Sequence, residues 1–80
     1  MDNSKILQRV IDVFATMAET DEEITADSEL IEDLGISSMD VLFLISSLEE
    51  EFKIKVPEKA IRKMFTIADV AEIITELIAK

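Results

Sequence analysis

The stretch Asp33-Leu34-Gly35-Ile36-Ser37-Ser38-Met39-Asp40 decides how this chain is read. Gly35 is the only glycine in the sequence, and glycine reaches positive φ or allows a close backbone approach without steric cost, so a sharp turn is expected there. Just beyond it, Val41-Leu42-Phe43-Leu44-Ile45 opens an apolar run, which places a helix start at Ser37 or Ser38. Ser37 and Asp40 have the spacing of a capping box, in which the serine oxygen accepts an orphan amide proton. With Ser37 as the cap, Ser38 becomes the first helical residue and its hydroxyl is not consumed by the fold. A free hydroxyl beside unpaired N–H groups, at the positive end of a helix dipole, suits the attachment of a phosphodiester.

Outward from this turn, the helix that starts at Ser38 is expected to run to about Phe52, with Val41, Leu42, Ile45, Leu48 and Phe52 facing inward. The opposite line carries Met39, Phe43, Ser46 or Ser47, and Glu50. Two apolar residues on that outward line are unusual, and Phe43 either packs under a loop or stands out as a docking knob. Before the turn, Ile6, Leu7, Val10, Ile11, Phe14 and Met17 recur at helical spacing and predict a first helix from about Ser4 to Ala18, capped by Asn3 or Ser4. Between Glu19 and Ser37 the period is lost. An ordered loop is expected there, anchored by Ile24, Leu30, Ile31, Leu34 and Ile36, with one helical turn near Ser28 to Ile31.

After the second helix, Lys53-Ile54-Lys55-Val56 breaks the pattern, and Pro57 fits the first turn of a short helix through Met64. Thr66 and Asp69 repeat the capping-box spacing and open a last helix with Ile67, Val70, Ile73, Ile74, Leu77 and Ile78 inward. The expected fold is all-α, a bundle of four helices with the third short and a long ordered loop between the first two. A chain of 80 residues makes one domain, residues 1–80, too small for a large buried active site. A hydrophobic fraction of 49% with one Gly and one Pro argues against both disorder and a turn-rich β fold.

The formal net charge is −10, and its placement matters more than its size. From Arg9 to Lys53 no Lys or Arg intervenes, yet that span holds thirteen carboxylates, while Lys53, Lys55, Lys59, Arg62 and Lys63 cluster after it. Such a surface repels nucleic acid and anionic membranes and attracts basic protein patches, although solubility alone explains most of the acids from Glu19 to Glu32. The chain has neither Cys nor His, which excludes disulfides, Cys/His zinc sites, a thiol nucleophile and imidazole acid–base chemistry. No basic segment followed by an apolar run opens the sequence, and a cytoplasmic place is expected.

Three other readings compete. An enzyme built on a Ser38 nucleophile needs a positioned base that no nearby motif supplies, so no catalytic residue is expected. A calcium loop with Gly35 at its sixth position puts Leu30, Leu34 and Val41 where oxygen ligands are required, and no metal site is expected. A plain helical interaction module accounts for the charge and Phe43, but not for a capped serine after the single glycine.

Over Asp33-Leu34-Gly35-Ile36-Ser37-Ser38-Met39-Asp40 the chain resembles the acyl carrier protein family, whose attachment motif commonly reads Asp-Leu-Gly-x-Asp-Ser-Leu-Asp. The resemblance continues through Leu48-Glu49-Glu50-Glu51-Phe52, Val56-Pro57 and Thr66-Ile67-Ala68-Asp69-Val70. It implies that a phosphopantetheinyl transferase moves 4′-phosphopantetheine from coenzyme A onto Ser38, and that the arm's thiol then holds an acyl group as a thioester for partner enzymes. It also implies that Asp33, Leu34 and Gly35 form the recognised turn. Met39, Asp40, Phe43, Glu49 and Glu50 are then met by acyl-transferring and condensing enzymes with basic docking patches, the carrier acting as a monomer. In such proteins an acyl chain tucks between helices, and Val41, Ile45, Ile67 and Ile74 are the candidates to line that space. Ser37 replaces the usual Asp, Met39 the usual Leu, and Phe43 a position commonly Glu in fatty-acid carriers, which suggests a specialised carrier. The rival within carriers, a peptidyl or aminoacyl carrier, usually reads Leu-Gly-Gly and is less acidic.

Overall fold

The computed structural model describes residues 3–79, with side chains from Ser4 onward. Four helices form among them: α1 (Asn3–Ala15), α2 (Ser38–Phe52), α3 (Glu58–Ile61) and α4 (Ile67–Ala79). No strand forms among the described residues; a lone antiparallel bridge joins Glu29 to Thr66. The all-α expectation holds.

Helix α1 packs against α4 and α2 through Ile6, Val10 and Phe14, which recur every turn and are almost wholly withdrawn from solvent. It ends three residues sooner than its apolar period suggests. Thr16 and Met17 continue as tight turns, their N–H groups donating to Val13 and Phe14 carbonyls, so Met17 still packs on the core without being helical. Of the two residues expected to cap the start of α1, Ser4 lies inside the helix instead, and the Asn3 side chain lies outside those described.

Helix α4 starts as its sequence predicts. The Thr66 hydroxyl accepts the Asp69 N–H (3.2 Å), and one Asp69 carboxylate oxygen accepts the N–H groups of Thr66 (3.1 Å) and Phe65 (3.0 Å). The reciprocal box satisfies three donors that the helix start would otherwise orphan. Helix α3 is shorter than expected: Pro57 stands just outside it as the N-cap, with extended ψ, and after Ile61 the chain tightens into turns up to Met64. With its ring in place of an N–H, Pro57 loses no helical hydrogen bond at that position.

The long connection between α1 and α2 is fixed rather than loose. Leu30, Leu34 and Ile36 sink into the core, Ile24 packs at its edge, and a helical turn spans residues 30–34, slightly later than expected. Backbone bonds lace this segment to its neighbours: Leu30 N–H to Phe65 O (2.9 Å), Ile67 N–H to Ser28 O (3.0 Å), and Glu19 N–H to Leu34 O (2.8 Å). Ile31 departs from the expectation and is largely exposed. It sits on the outer side of the turn whose inner side is taken by Leu30 and Leu34, and a single turn cannot bury all three.

Helix α2 buries Val41, Leu44, Ile45 and Leu48. Leu42, expected inward, is 45% exposed, and Phe52 is half-buried. The buried line is therefore rotated towards Leu44, which lies three residues from Val41 and four from Leu48 on the face that meets α1. The helix closes at Lys53, whose φ of +56° turns the chain so that its N–H and that of Ile54 both reach the Glu49 carbonyl. This left-handed closure is usual for glycine and costs a lysine about 1 kcal/mol.

Candidate functional site

Gly35, at φ +69°, makes the turn that delivers the chain into α2. Its N–H donates to the Ile31 carbonyl (3.2 Å), so the glycine closes the preceding helical turn as well as reversing the chain. Asp33 stabilises the same turn from its start, its carboxylate accepting the Glu29 N–H at 2.8 Å. Leu34 is the buried anchor between them.

Ser37 is the N-cap of α2, with φ −74° and ψ 162°, and its hydroxyl oxygen accepts the Asp40 N–H at 3.2 Å. Its carbonyl accepts the Val41 N–H at 3.0 Å. Ser38 is the first residue of the helix and is exposed. Among the described residues no group hydrogen-bonds to the Ser38 hydroxyl, and the N–H groups of Ser38 and Met39 have no acceptor. One exposed hydroxyl thus stands beside two unused donors at the positive end of a four-turn helix, where an attached phosphodiester is electrostatically favoured.

Ser38 and Leu42, four residues apart on one helix face, form one wall of an open apolar cleft of about 450 Å³. Leu30 and Ile31 from the loop, Val41 from α2, and Ile61, Met64 and Phe65 around α3 complete it, with Glu29, Glu32 and Arg62 at its edges. Of the residues expected to line a space for an acyl chain, only Val41 does so. Ile45, Ile67 and Ile74 are fully buried core, because they point to the centre of the bundle rather than to the gap between α2 and α3. Leu42, read as inward from the sequence, has a signal that could have placed it here, its spacing of four residues from Ser38. Ile31 and Phe65 carried no periodic signal, lying at a loop and just before a cap.

The remaining site residues divide by what their side chains already hold. Met39 (75%) and Phe43 (60%) are exposed on the outward face, with Glu50 exposed two turns further along the same line. Asp40 is half-buried. Glu49 is also half-buried, and its carboxylate accepts the Val56 N–H at 2.7 Å, which fastens the segment after α2 to the helix. No cluster of potential metal ligands occurs among the described residues, and no helix there is long and apolar enough to cross a membrane.

An apolar cleft thus opens beside an unengaged serine at a helix N-terminus of a four-helix fold. A family model described as phosphopantetheine attachment site matches residues 8–77. The acyl carrier protein of Campylobacter curvus is 37% identical over 73 residues, spanning 90% of this chain and 95% of that protein. That of Thermosynechococcus vestitus is 34% identical over 80 residues, spanning 99% of each. The crystal structure of a mitochondrial acyl carrier protein from Toxoplasma shares the fold, with a TM-score of 0.85 over 99% of this chain and 93% of that one, at 20% identity. The chain belongs to the acyl carrier protein family, whose members carry 4′-phosphopantetheine covalently and interact with phosphopantetheinyl transferases and synthesis enzymes.

Proposed function

We propose that residues 1–80 act as a carrier domain on which Ser38 is the attachment point of the 4′-phosphopantetheine arm, and that the chain itself catalyses nothing. The observation that carries this reading is the division of labour between neighbouring serines: Ser37 spends its hydroxyl on the helix, and Ser38 keeps its own free. The arm contributes a thiol that a chain without Cys lacks, and so supplies thioester chemistry. The protein's own part is positional. The turn at Gly35 and the sunken Leu34 and Ile36 fix where α2 begins, and the Ser38 and Met39 N–H groups offer donors to a phosphate oxygen there. During transfer the Ser38 oxygen forms the new bond to phosphorus, the bond to the departing nucleotide breaks, and the hydroxyl proton passes to a base on the transferase.

The apolar cleft beside Ser38 takes the first part of an acyl chain, between Leu42 and Phe65. Asp40 beside the serine and Glu50 in the last turn of α2 present negative charge to basic docking surfaces, whereas Asp33 and Glu49 act chiefly by holding the turn and the end of α2 in shape. The departures at Ser37, Met39 and Phe43 support a carrier with a partner set of its own in fatty-acid, lipid or polyketide-type synthesis.

The test is incubation of the purified chain with coenzyme A, magnesium and a broad-specificity phosphopantetheinyl transferase, followed by intact-mass measurement and loading with acyl or aminoacyl donors. One arm and acceptance of saturated acyl groups are expected. No mass gain would overturn the carrier reading, and exclusive loading with amino acids would reassign it to the peptidyl class.

A further inference from the structure

Two walls of the cleft, α2 and the loop before it, are sewn into the core, whereas the third is tied only at its ends. Among the described residues, every backbone hydrogen bond made by residues 57–64 is local: Ala60 and Ile61 donate to Pro57, Arg62 to Glu58, Lys63 to Ala60 and Met64 to Ile61. Helix α3 has no fully buried residue of its own. Beyond it the chain is held at Phe65, whose carbonyl accepts the Leu30 N–H (2.9 Å) and whose N–H donates to the Asp69 carboxylate (3.0 Å). Before it the chain is held at Val56, by a buried side chain and by one hydrogen bond from its N–H to Glu49 Oε2 at 2.7 Å. Residues 57–64 thus form a strap slung between α2 and the loop, and the strap carries Ile61 and Met64, which line the cleft together with Val41 and Leu42 of α2.

Glu49 controls the α2 end of that strap. Its carbonyl accepts the N–H groups of Lys53 and Ile54, and its carboxylate accepts that of Val56. The carbonyl bonds belong to any residue at this position, so only the bond to Val56 depends on the side chain. Pro57 follows and has no N–H to offer, which makes Val56 the last donor before the strap begins. Without the carboxylate, a half-buried tie is lost and the strap is free to swing away from α2. Dispersion contacts fade steeply with distance: a gap of roughly 0.5–1 Å forfeits a quarter to a half of their energy, so a slight movement of this wall loosens its hold on a thin alkyl chain.

Resting on the reading that an acyl chain enters the cleft beside Ser38, we propose that Glu49 is a positioning residue for the cargo. Its carboxylate, through the Val56 N–H, sets the spacing of the α3 wall from α2 and so how firmly the cleft encloses the acyl chain.

The test is hydroxylamine cleavage of the thioester on acetyl-loaded and octanoyl-loaded chains of the wild type, Glu49→Ala and Glu49→Gln. Each is loaded from the acyl-coenzyme A by a broad-specificity phosphopantetheinyl transferase, verified by intact mass, and its rate divided by that of the same thioester on coenzyme A. The acetyl group has too little apolar surface to be held and serves as the unenclosed control. In the wild type the octanoyl thioester should react about tenfold more slowly than the acetyl one, as burial of two or more methylenes implies. Glu49→Ala should speed octanoyl cleavage by about fivefold and leave acetyl cleavage unchanged, while Glu49→Gln, whose amide oxygen still accepts the Val56 N–H, should stay near wild type. Hydrogen exchange of residues 56–64 in the unloaded Glu49→Ala chain should quicken, with α1 and α4 unaffected. An octanoyl rate unmoved by Glu49→Ala, acetyl and octanoyl rates that rise together, Glu49→Gln behaving as Glu49→Ala, or faster exchange in α1 and α4 as well would each overturn the proposal. A wild-type octanoyl thioester as reactive as the acetyl one would instead overturn the cleft reading beneath it.

Discussion

At the scale of single residues, Gly35 and Ser37 do most to place the exposed hydroxyl. A methyl group at Gly35 would meet only the Glu19 side chain at 3.5 Å, an ordinary contact, so the demand for glycine comes from its φ of +69° and not from crowding. Gly35→Ala should therefore fold but lose about 1 kcal/mol, since the left-handed region costs an L-residue more than the reduced unfolded-state entropy returns. For a domain of this size that is a fall in Tm of roughly 4–8 °C in a thermal melt. A Tm equal to or above that of the wild type would show that the turn does not depend on this conformation. These two residues were legible in the sequence because their roles are local: one glycine in the whole chain, and a serine three residues before an acid. The tie between the Glu49 carboxylate and Val56 was not legible, because seven residues separate the partners and no periodic pattern marks the bond.

At the scale of elements, α4 was placed from its capping signal, whereas the ends of α1 and α3 were misjudged. The reason is physical. The reciprocal box of Thr66 and Asp69 fixes a boundary with hydrogen bonds, while apolar periodicity continues through Met17 and Met64 even though the chain there follows tighter turns that point the same side chains inward. Leu42 was misassigned for a related reason: a window of consecutive apolar residues, 41–45, leaves the helix face ambiguous until α1 and the cleft define which sides are covered. If the cap governs α4, Asp69→Ala should cost about 1–2 kcal/mol, because the N–H groups of Phe65 and Thr66 lose their acceptor at the foot of the helix packed on α1. Chemical denaturation should show this as a lower midpoint with an unchanged slope. Asp69→Asn, which keeps an acceptor oxygen, should recover part of the loss. A midpoint indifferent to Asp69→Ala would mean that packing alone fixes the helix start.

At the scale of the whole molecule, a chain with a net charge of −10 is held together by apolar packing from all four helical regions and the long loop, with little help from ion pairs. Among the described residues one pair bridges distant elements: the Arg9 guanidinium donates two hydrogen bonds of 2.6 Å to Glu51, joining α1 to α2. Hydrogen bonding to Arg9, followed by partial burial acting in the opposite sense, leaves the Glu51 carboxyl below its ordinary range. A carboxyl with a depressed pKa in the folded state adds stability above its unfolded value and loses it as pH falls through the lower folded one. Glu51→Gln should accordingly lower Tm slightly at neutral pH, with the gap from wild type closing in acid below the usual carboxylate range; a gap of constant size would contradict the pairing. The concentration of acids in one span was visible from residue order and the helical class from composition and apolar spacing, but the cleft was not, since it arises where loop, α2 and α3 fail to meet. That of two adjacent serines one serves the helix and the other the arm is decided by intact-mass measurement of the Ser38→Ala and Ser37→Ala variants after treatment with coenzyme A and transferase. Ser38→Ala should gain no mass and Ser37→Ala should gain one 4′-phosphopantetheine; an arm on Ser38→Ala, with none on Ser37→Ala, would contradict it.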